Sequence, residues 1–187
     1  MNEKRARPSR ARTANGAAPA WPDQIFQVLK NADIRQVGYV PDAGHARLIA
    51  RCQADNAMRA VALTTEEEGI ALSAGAWLGG ERSALLMQSS GVGNCVNMLS
   101  LARTCRFPLV MLITMRGEWG EFNPWQVPMG TSTQGVLELS GIHVLRATEP
   151  SEVKDVMEAA ASQAYNACTP TALLLSQRLI GTKVFVK

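Results

Sequence analysis

The sequence predicts a three-layer α/β/α sandwich on a mostly parallel sheet of six strands. Two observations carry that expectation. Short apolar stretches alternate with helix-patterned stretches along most of the chain, which is how repeated strand–helix–strand units read. One of those stretches, Leu109 to Thr114 (LVMLIT), is an uninterrupted apolar run, as a central parallel strand needs when helices cover both of its faces.

The elements follow in order. Pro22-Asp23 open a short helix over Gln24 to Ala32, in which Ile25, Phe26, Val28 and Leu29 share a face. A first strand, Gln36 to Val40, ends at Pro41, and a helix spans Ala46 to Asp55 with Leu48 and Ile49 inward. The second strand is Arg59 to Leu63, and the alanine-rich helix Glu66 to Leu78 follows it. The third strand is Ala84 to Gln88, then a helix from Asn94 to Thr104 leads to the central strand. Arg116 to Gly130 reads as a long irregular loop with Gly120, Pro124, Pro128 and two tryptophans. A helix Thr131 to Leu139, a strand His143 to Arg146, a helix Ser151 to Ala167 and a strand Thr171 to Ser176 complete the set.

With 187 residues, 47% of them hydrophobic and 19% charged, the chain fits one well-filled domain. That domain is assigned to residues 21–187. Residues 1–20 are Arg-, Ala- and Pro-rich without apolar periodicity and are expected to form a disordered basic tail. The net charge of +3 comes from that tail, which holds Lys4, Arg5, Arg7, Arg10 and Arg12 against Glu3 alone. The body is close to charge balance, so it offers no case for nucleic acid. No apolar run is long enough to span a bilayer. Cys52, Cys95, Cys105 and Cys168 form no Cys-x-x-Cys pair, which fits reduced thiols and a cytoplasmic setting rather than a disulfide or zinc framework.

Two strand-to-helix corners concentrate the chemistry. At the first, Glu66, Glu67 and Glu68 stand where a helix N-terminus favours negative charge, and Thr65-x-x-Glu68 has the form of a capping box. Glu66 shares a stripe with Ile70, Ser73 and Trp77 and is expected to be buried. A buried carboxylate is suited to proton transfer near neutral pH. Glu67, whose stripe runs through Ala71, Ala74 and Leu78, remains open. At the second corner Gln88-Ser89-Ser90-Gly91-Val92-Gly93-Asn94 reads as a glycine turn that lets backbone approach a ligand. The third glycine of a dinucleotide fingerprint is absent.

Together these stretches resemble the pyrimidine-binding domain of thiamine-diphosphate enzymes, in the branch of the sulfopyruvate decarboxylase α subunits and phosphonopyruvate decarboxylases. The match runs through Glu66-Glu67-Glu68-Gly69-Ile70-Ala71-Leu72-Ser73-Ala74-Gly75-Ala76-Trp77-Leu78-Gly79, Leu86 to Asn97, Pro108-Leu109-Val110 and Arg116-Gly117. The resemblance implies thiamine diphosphate as cofactor and one glutamate that hydrogen-bonds its aminopyrimidine ring. Counting back from Gly75 selects Glu66, with Gly91, Val92, Gly93 and Asn94 as further cofactor contacts. Relatives place residues near the reacting carbon at the corner that holds His45, which reads either as a proton donor or as a surface residue at a helix start. Asp42, otherwise a turn or N-cap residue, and Arg116, suited to an anionic group, become substrate contacts. His143 reads as structural.

Relatives hold the diphosphate and Mg2+ through a Gly-Asp-Gly motif, and none occurs here. The resemblance therefore implies half a site, completed by a β subunit that holds Mg2+ and the diphosphate in an α/β hetero-oligomer acting on a small 2-oxo acid. From Phe122 to Gly130 the chain departs from the Asp-Glu-Pro-Gln-His signature of phosphonopyruvate enzymes, and its Gln-x-Pro-Met-Gly ending is closer to the sulfopyruvate branch. Alternatives are a carboligase subunit similar to acetolactate synthase, a non-catalytic partner subunit, or a nucleotide-binding α/β module.

Overall fold

The computed structural model describes residues 20–181; the basic tail lies outside them except for Ala20. The described chain runs α1 (Trp21–Asn31), β1 (Ile34–Tyr39), α2 (Ala46–Ala54), β2 (Arg59–Ala62), α3 (Glu66–Leu78), β3 (Arg82–Gln88), α4 (Ser89–Cys95) and α5 (Leu99–Cys105). It continues through β4 (Val110–Thr114), a 3-10 turn (Pro124–Gln126), α6 (Val127–Leu139), β5 (His143–Ala147), α7 (Val153–Asn166), β6 (Thr171–Leu175) and α8 (Gln177–Ile180). Six strands form one sheet in the order β2-β1-β3-β4-β6-β5. Every pairing is parallel, so the expected architecture holds with no antiparallel member.

Successive side chains along a strand point to opposite faces, and the core divides accordingly. Leu86, Leu112 and Leu173 face α1, α2 and α7, where they meet Ile25, Leu29, Leu48 and Met157. Leu85, Met87, Met111, Ile113 and Leu174 face the other way, towards Ile70, Val92, Leu99 and Leu137 on α3 to α6. Burying both faces explains the unbroken apolar run of β4, all of whose residues are buried. Edge strands β2 and β5 are only partly covered.

Several boundaries differ from expectation, and four of the differences bear on the site or the helix starts. Helix α1 starts at Trp21, since proline is tolerated at the first positions of a helix. The expected glycine turn does not exist. Helix α4 begins at Ser89, directly on the strand end, and Gly91 and Gly93 lie inside it. The single helix expected from Asn94 becomes α4 and α5, divided by a turn at residues 96–98. The long loop is shorter than read, because α6 begins at Val127 with Pro128 in its first turn. Helix α8, capped by the Ser176 hydroxyl accepting from Leu179 N at 3.2 Å, was not anticipated.

Among the described residues, no helix is long and apolar enough to cross a membrane. All four cysteines are free; Cys52 and Cys95 are buried, whereas Cys105 and Cys168 are exposed. Burial pushes the Cys52 and Cys95 thiols up to about 12, which removes the reactive thiolate. An aromatic disulfide reagent at pH 8 should therefore label two thiols quickly in the folded chain and all four after denaturation. Fast labelling of a third thiol in the folded chain would contradict the packing.

Candidate functional site

With all strands parallel, their carboxyl ends share one edge. The chain leaves β1 for α2 on one face and leaves neighbouring β3 for α4 on the other. A crevice opens at such a switch point. Asp42, in the loop after β1, stands there. Its Oδ2 accepts from Gly44 N at 3.0 Å and from the Thr114 hydroxyl at 2.6 Å. Its Oδ1 accepts from Gln88 Nε2 at 3.1 Å, and Gln88 Oε1 accepts from the Ser90 hydroxyl at 2.8 Å. One carboxylate thus ties the ends of β1, β3 and β4 together, which the register allows because Gln88 lies beside Thr114. The bond to Gly44 N, two residues on, makes an Asx turn rather than an N-cap. Both oxygens accept hydrogen bonds within the chain, so Asp42 braces three strand ends.

His45 stands neither on the surface nor in the crevice. It is fully buried, and its Nε2–H donates to the Leu112 carbonyl at 3.0 Å. Because a carbonyl only accepts, Nε2 carries the proton of the neutral ring and Nδ1 holds a lone pair. That lone pair meets no partner among the described residues. Burial pushes the imidazole below its ordinary 6.5, against the opposing pull of Asp42 and of the carbonyls of Leu112 and Met87. Its N–H is engaged by β4 and the ring has no exposed edge.

Glu66 is where the stripe argument placed it, 8% exposed at the first turn of α3, with Ile70 and Ser73 buried below it. Trp77, at the end of that stripe, is 39% exposed and leans on Tyr165 instead. Glu67 faces solvent. Asn94 Nδ2 donates to Glu66 Oε2 at 2.8 Å, while Oε1 takes no hydrogen bond from the described residues. The carboxylate lies flat against Gly91, where a Cβ would overlap it. That close approach is the use of the glycine, in a helix and not in a turn. Of the other expected cofactor contacts, Val92 is buried in the core beside Cys95 and Leu99, and Gly93 faces Met129. The capping box is also displaced: Glu68 accepts from Thr64 N at 2.9 Å, and Thr65 makes no side-chain cap.

Arg116 is buried and bound through Nε and Nη2 to the two oxygens of Glu121, each at 2.6 Å. Its Nε and Nη2 are therefore engaged within the chain by Glu121. Glu121 also accepts from Gly117 N, Asn123 N and Gln177 Nε2. The Arg116 guanidinium, with those donors, holds its carboxyl down to about 2. Gln177, itself buried, accepts from Glu118 N and Trp119 N, and its backbone N–H donates to Glu118 Oε1 at 2.8 Å. At Gly117 (φ +80°) a Cβ would strike the Gln126 carbonyl, so the loop closes only on glycine. Sequence reasoning missed Thr114, Glu121 and Gln177 as parts of this edge. For Glu121 a signal existed, a carboxylate five residues after a buried arginine. His143 starts β5 at the opposite edge, exposed.

No protein-family model matches the chain. It is 34% identical over 151 residues to the sulfopyruvate decarboxylase subunit alpha of Methanocaldococcus jannaschii, covering 80% of this chain and 89% of the relative. The corresponding subunit of Methanothermobacter thermautotrophicus is 36% identical over 71% of this chain and 81% of its own length. A phosphonopyruvate decarboxylase of Streptomyces viridochromogenes is 39% identical over 59% of this chain, although the match covers only 28% of that protein. Among solved structures, a 2-oxoglutarate:ferredoxin oxidoreductase from Magnetococcus marinus superposes with a TM-score of 0.68 at 15% identity. It covers 87% of this chain and 29% of that one, a likeness of fold.

Two stability measurements check the edge. Glu121→Gln should destabilise the chain at pH 7 by about 3–5 kcal/mol, because it leaves a buried guanidinium unpaired. The Glu121 carboxyl is lowered from its ordinary 4.5 to about 2. Its contribution is therefore complete above about pH 4.5 and fades towards pH 2, so the gap to the variant should close over that range. His45→Gln offers a donor that does not titrate. As pH falls below 6.5 the unfolded imidazole takes up a proton that the buried ring resists, so the unsubstituted chain should lose stability from pH 6.5 towards pH 5 while the variant loses less. Parallel pH profiles in denaturant titrations would refute this placement of His45.

Proposed function

Because the chain belongs to the sulfopyruvate decarboxylase α-subunit family, we propose that it is the α chain of a two-chain, thiamine-diphosphate-dependent decarboxylase of a small anionic 2-oxo acid. The observation that carries this reading is Glu66. A carboxylate is buried at the carboxyl edge of a parallel sheet, one oxygen is held by Asn94, and the other has no donor among the described residues. That free acceptor fits a protonated ring nitrogen or amino group of an aminopyrimidine. Thiamine diphosphate, when bound, supplies the electron sink that lets carbon dioxide leave.

In this reading the chain's own residues bind and orient. Glu66 accepts a hydrogen bond from the ring through Oε1. Asn94 fixes the direction of the carboxylate by occupying Oε2, and Gly91 admits it by carrying no side chain. The Asp42 brace and buried His45 hold the ends of β1, β3 and β4 in place behind the crevice. Glu67, in solvent, takes no part. No Gly-Asp-Gly motif occurs in the sequence, so the diphosphate and Mg2+ fall to a β subunit, with the cofactor spanning the two chains. Since Arg116 is neutralised by Glu121, the anionic end of the substrate is met by other groups. A three-carbon acid such as sulfopyruvate or phosphonopyruvate is the substrate class the relatives favour.

Carbon dioxide release from sulfopyruvate should require both chains, thiamine diphosphate and Mg2+ together; full activity of the α chain alone would overturn the half-site. Glu66→Gln should lower kcat by about 10²–10⁴, the usual worth of a positioned acid–base group, with the thermal transition retained. Glu67→Gln should change kcat little, and the reverse pattern would move the assignment to Glu67.

A further inference from the structure

We propose that Arg178 meets the second anionic group of the substrate, the sulfonate or phosphonate of a three-carbon 2-oxo acid, and so sets specificity. The inference rests on the decarboxylase reading above, which leaves that end of the substrate unassigned. Three arginines stand at the carboxyl ends of β4, β5 and β6. Arg116 is bound by Glu121, and Arg146 by Glu118 at 2.7 Å. Arg178, the second residue of α8, is exposed and takes no hydrogen bond or ion pair from the described residues. Its guanidinium lies 5.4 Å from the centre of the Trp119 ring instead.

An arginine resting on an aromatic ring is ordinary in itself. This one is held in place by the neighbour that precedes it. Gln177 Oε1 accepts from Trp119 N at 3.0 Å, and Gln177 Nε2 donates to Glu121 Oε2 at 2.9 Å. The residue before Arg178 thus secures both the loop that carries the ring and the carboxylate that closes that loop. A guanidinium stacked on a ring keeps its N–H donors at its rim, and their planar fork suits the oxygens of a phosphonate or sulfonate. A long side chain oriented in advance loses little conformational freedom when the anion arrives.

The rim between Arg178 and Glu66 is continuous. Arg116, clamped by the same Glu121, donates from its backbone N–H to the Ser89 hydroxyl at 3.0 Å. Ser89 starts α4 two residues before Gly91, against which Glu66 lies. Only β4 separates β3 from β6 in the sheet. Neighbouring strands stand about 4.8 Å apart, so the ends of β3 and β6 are about 10 Å apart. The anionic end of a small acid that extends along this rim from the crevice faces Arg178.

The test uses the full chain co-expressed with its β subunit. Calorimetric titrations compare sulfolactate with lactate, 2-hydroxy analogues that differ in the sulfonate and are not decarboxylated, and kinetics use sulfopyruvate. The unsubstituted complex should prefer sulfolactate. Arg178→Met should cut that preference about 10–100-fold, the worth of a charge-assisted contact. It should raise KM for sulfopyruvate by a similar factor while kcat stays within about twofold. Arg178→Lys keeps the charge and should recover part of the preference. Trp119→Leu removes the ring under the guanidinium and should cut the preference about 2- to 5-fold. Arg35→Met loses the same charge at the start of β1, the opposite edge of the sheet, and should bind as the unsubstituted complex does. An undiminished preference in Arg178→Met would overturn the assignment while leaving a decarboxylating complex in place. Equal weakening for sulfolactate and lactate would mark a structural role and overturn it too, as would a loss that Arg35→Met reproduces. Arg178-dependent binding without carbon dioxide release from sulfopyruvate would overturn the decarboxylase reading and leave Arg178 as the anion-binding residue. Binding of neither analogue by the unsubstituted complex would overturn the assignment outright.

Discussion

Parallel pairing is the constraint on which the rest of this molecule depends. Each parallel neighbour requires a crossover through a covering helix, so every strand releases the chain at the same edge. Polar residues that follow the strands therefore collect there: Asp42 after β1, Glu66 after β2, Gln88 and Asn94 after β3, Thr114 and Arg116 around the end of β4, Gln177 after β6. None needs a special recruitment device. Covering both faces with helices leaves the interior almost wholly apolar, and the residues that titrate or bond sit at its rim.

At that rim the chain handles its charges in two ways. Arg116 and Glu121 are paired, buried and saturated with further donors, which makes them structural. Such a pair fixes the loop that follows β4. Glu66 is held on one side only. The contrast between a saturated and a half-satisfied carboxylate, a few elements apart on one edge, is what sets Glu66 apart as the group proposed for the chemistry.

Much of the architecture was legible in the sequence because burial on two faces writes itself as an uninterrupted apolar run, as in Leu109 to Thr114. The burial of Glu66 was legible too, since helical spacing set it above Ile70 and Ser73. What could not be read came from contacts between distant parts of the chain. Gly91-Val92-Gly93 has the local signature of a turn, and its helical state is reinforced by the packing of α3 against α4. His45 and Gln177 carry no periodic signal, and their burial follows from where β4 and β6 lie in the sheet. Arg116 looked available because the Glu121 that neutralises it sits in an aperiodic loop.

The contact between Glu66 and Gly91 has a consequence for how this protein tolerates change. Position 91 is buried and carries no side chain, yet alanine there would thrust a methyl group into the carboxylate to which the chemistry is assigned. In a saturation-mutagenesis map such a glycine registers with the same intolerance as a reactive side chain. The two positions form one heritable unit, in which the absence of atoms at one residue is as strictly specified as their presence at the other.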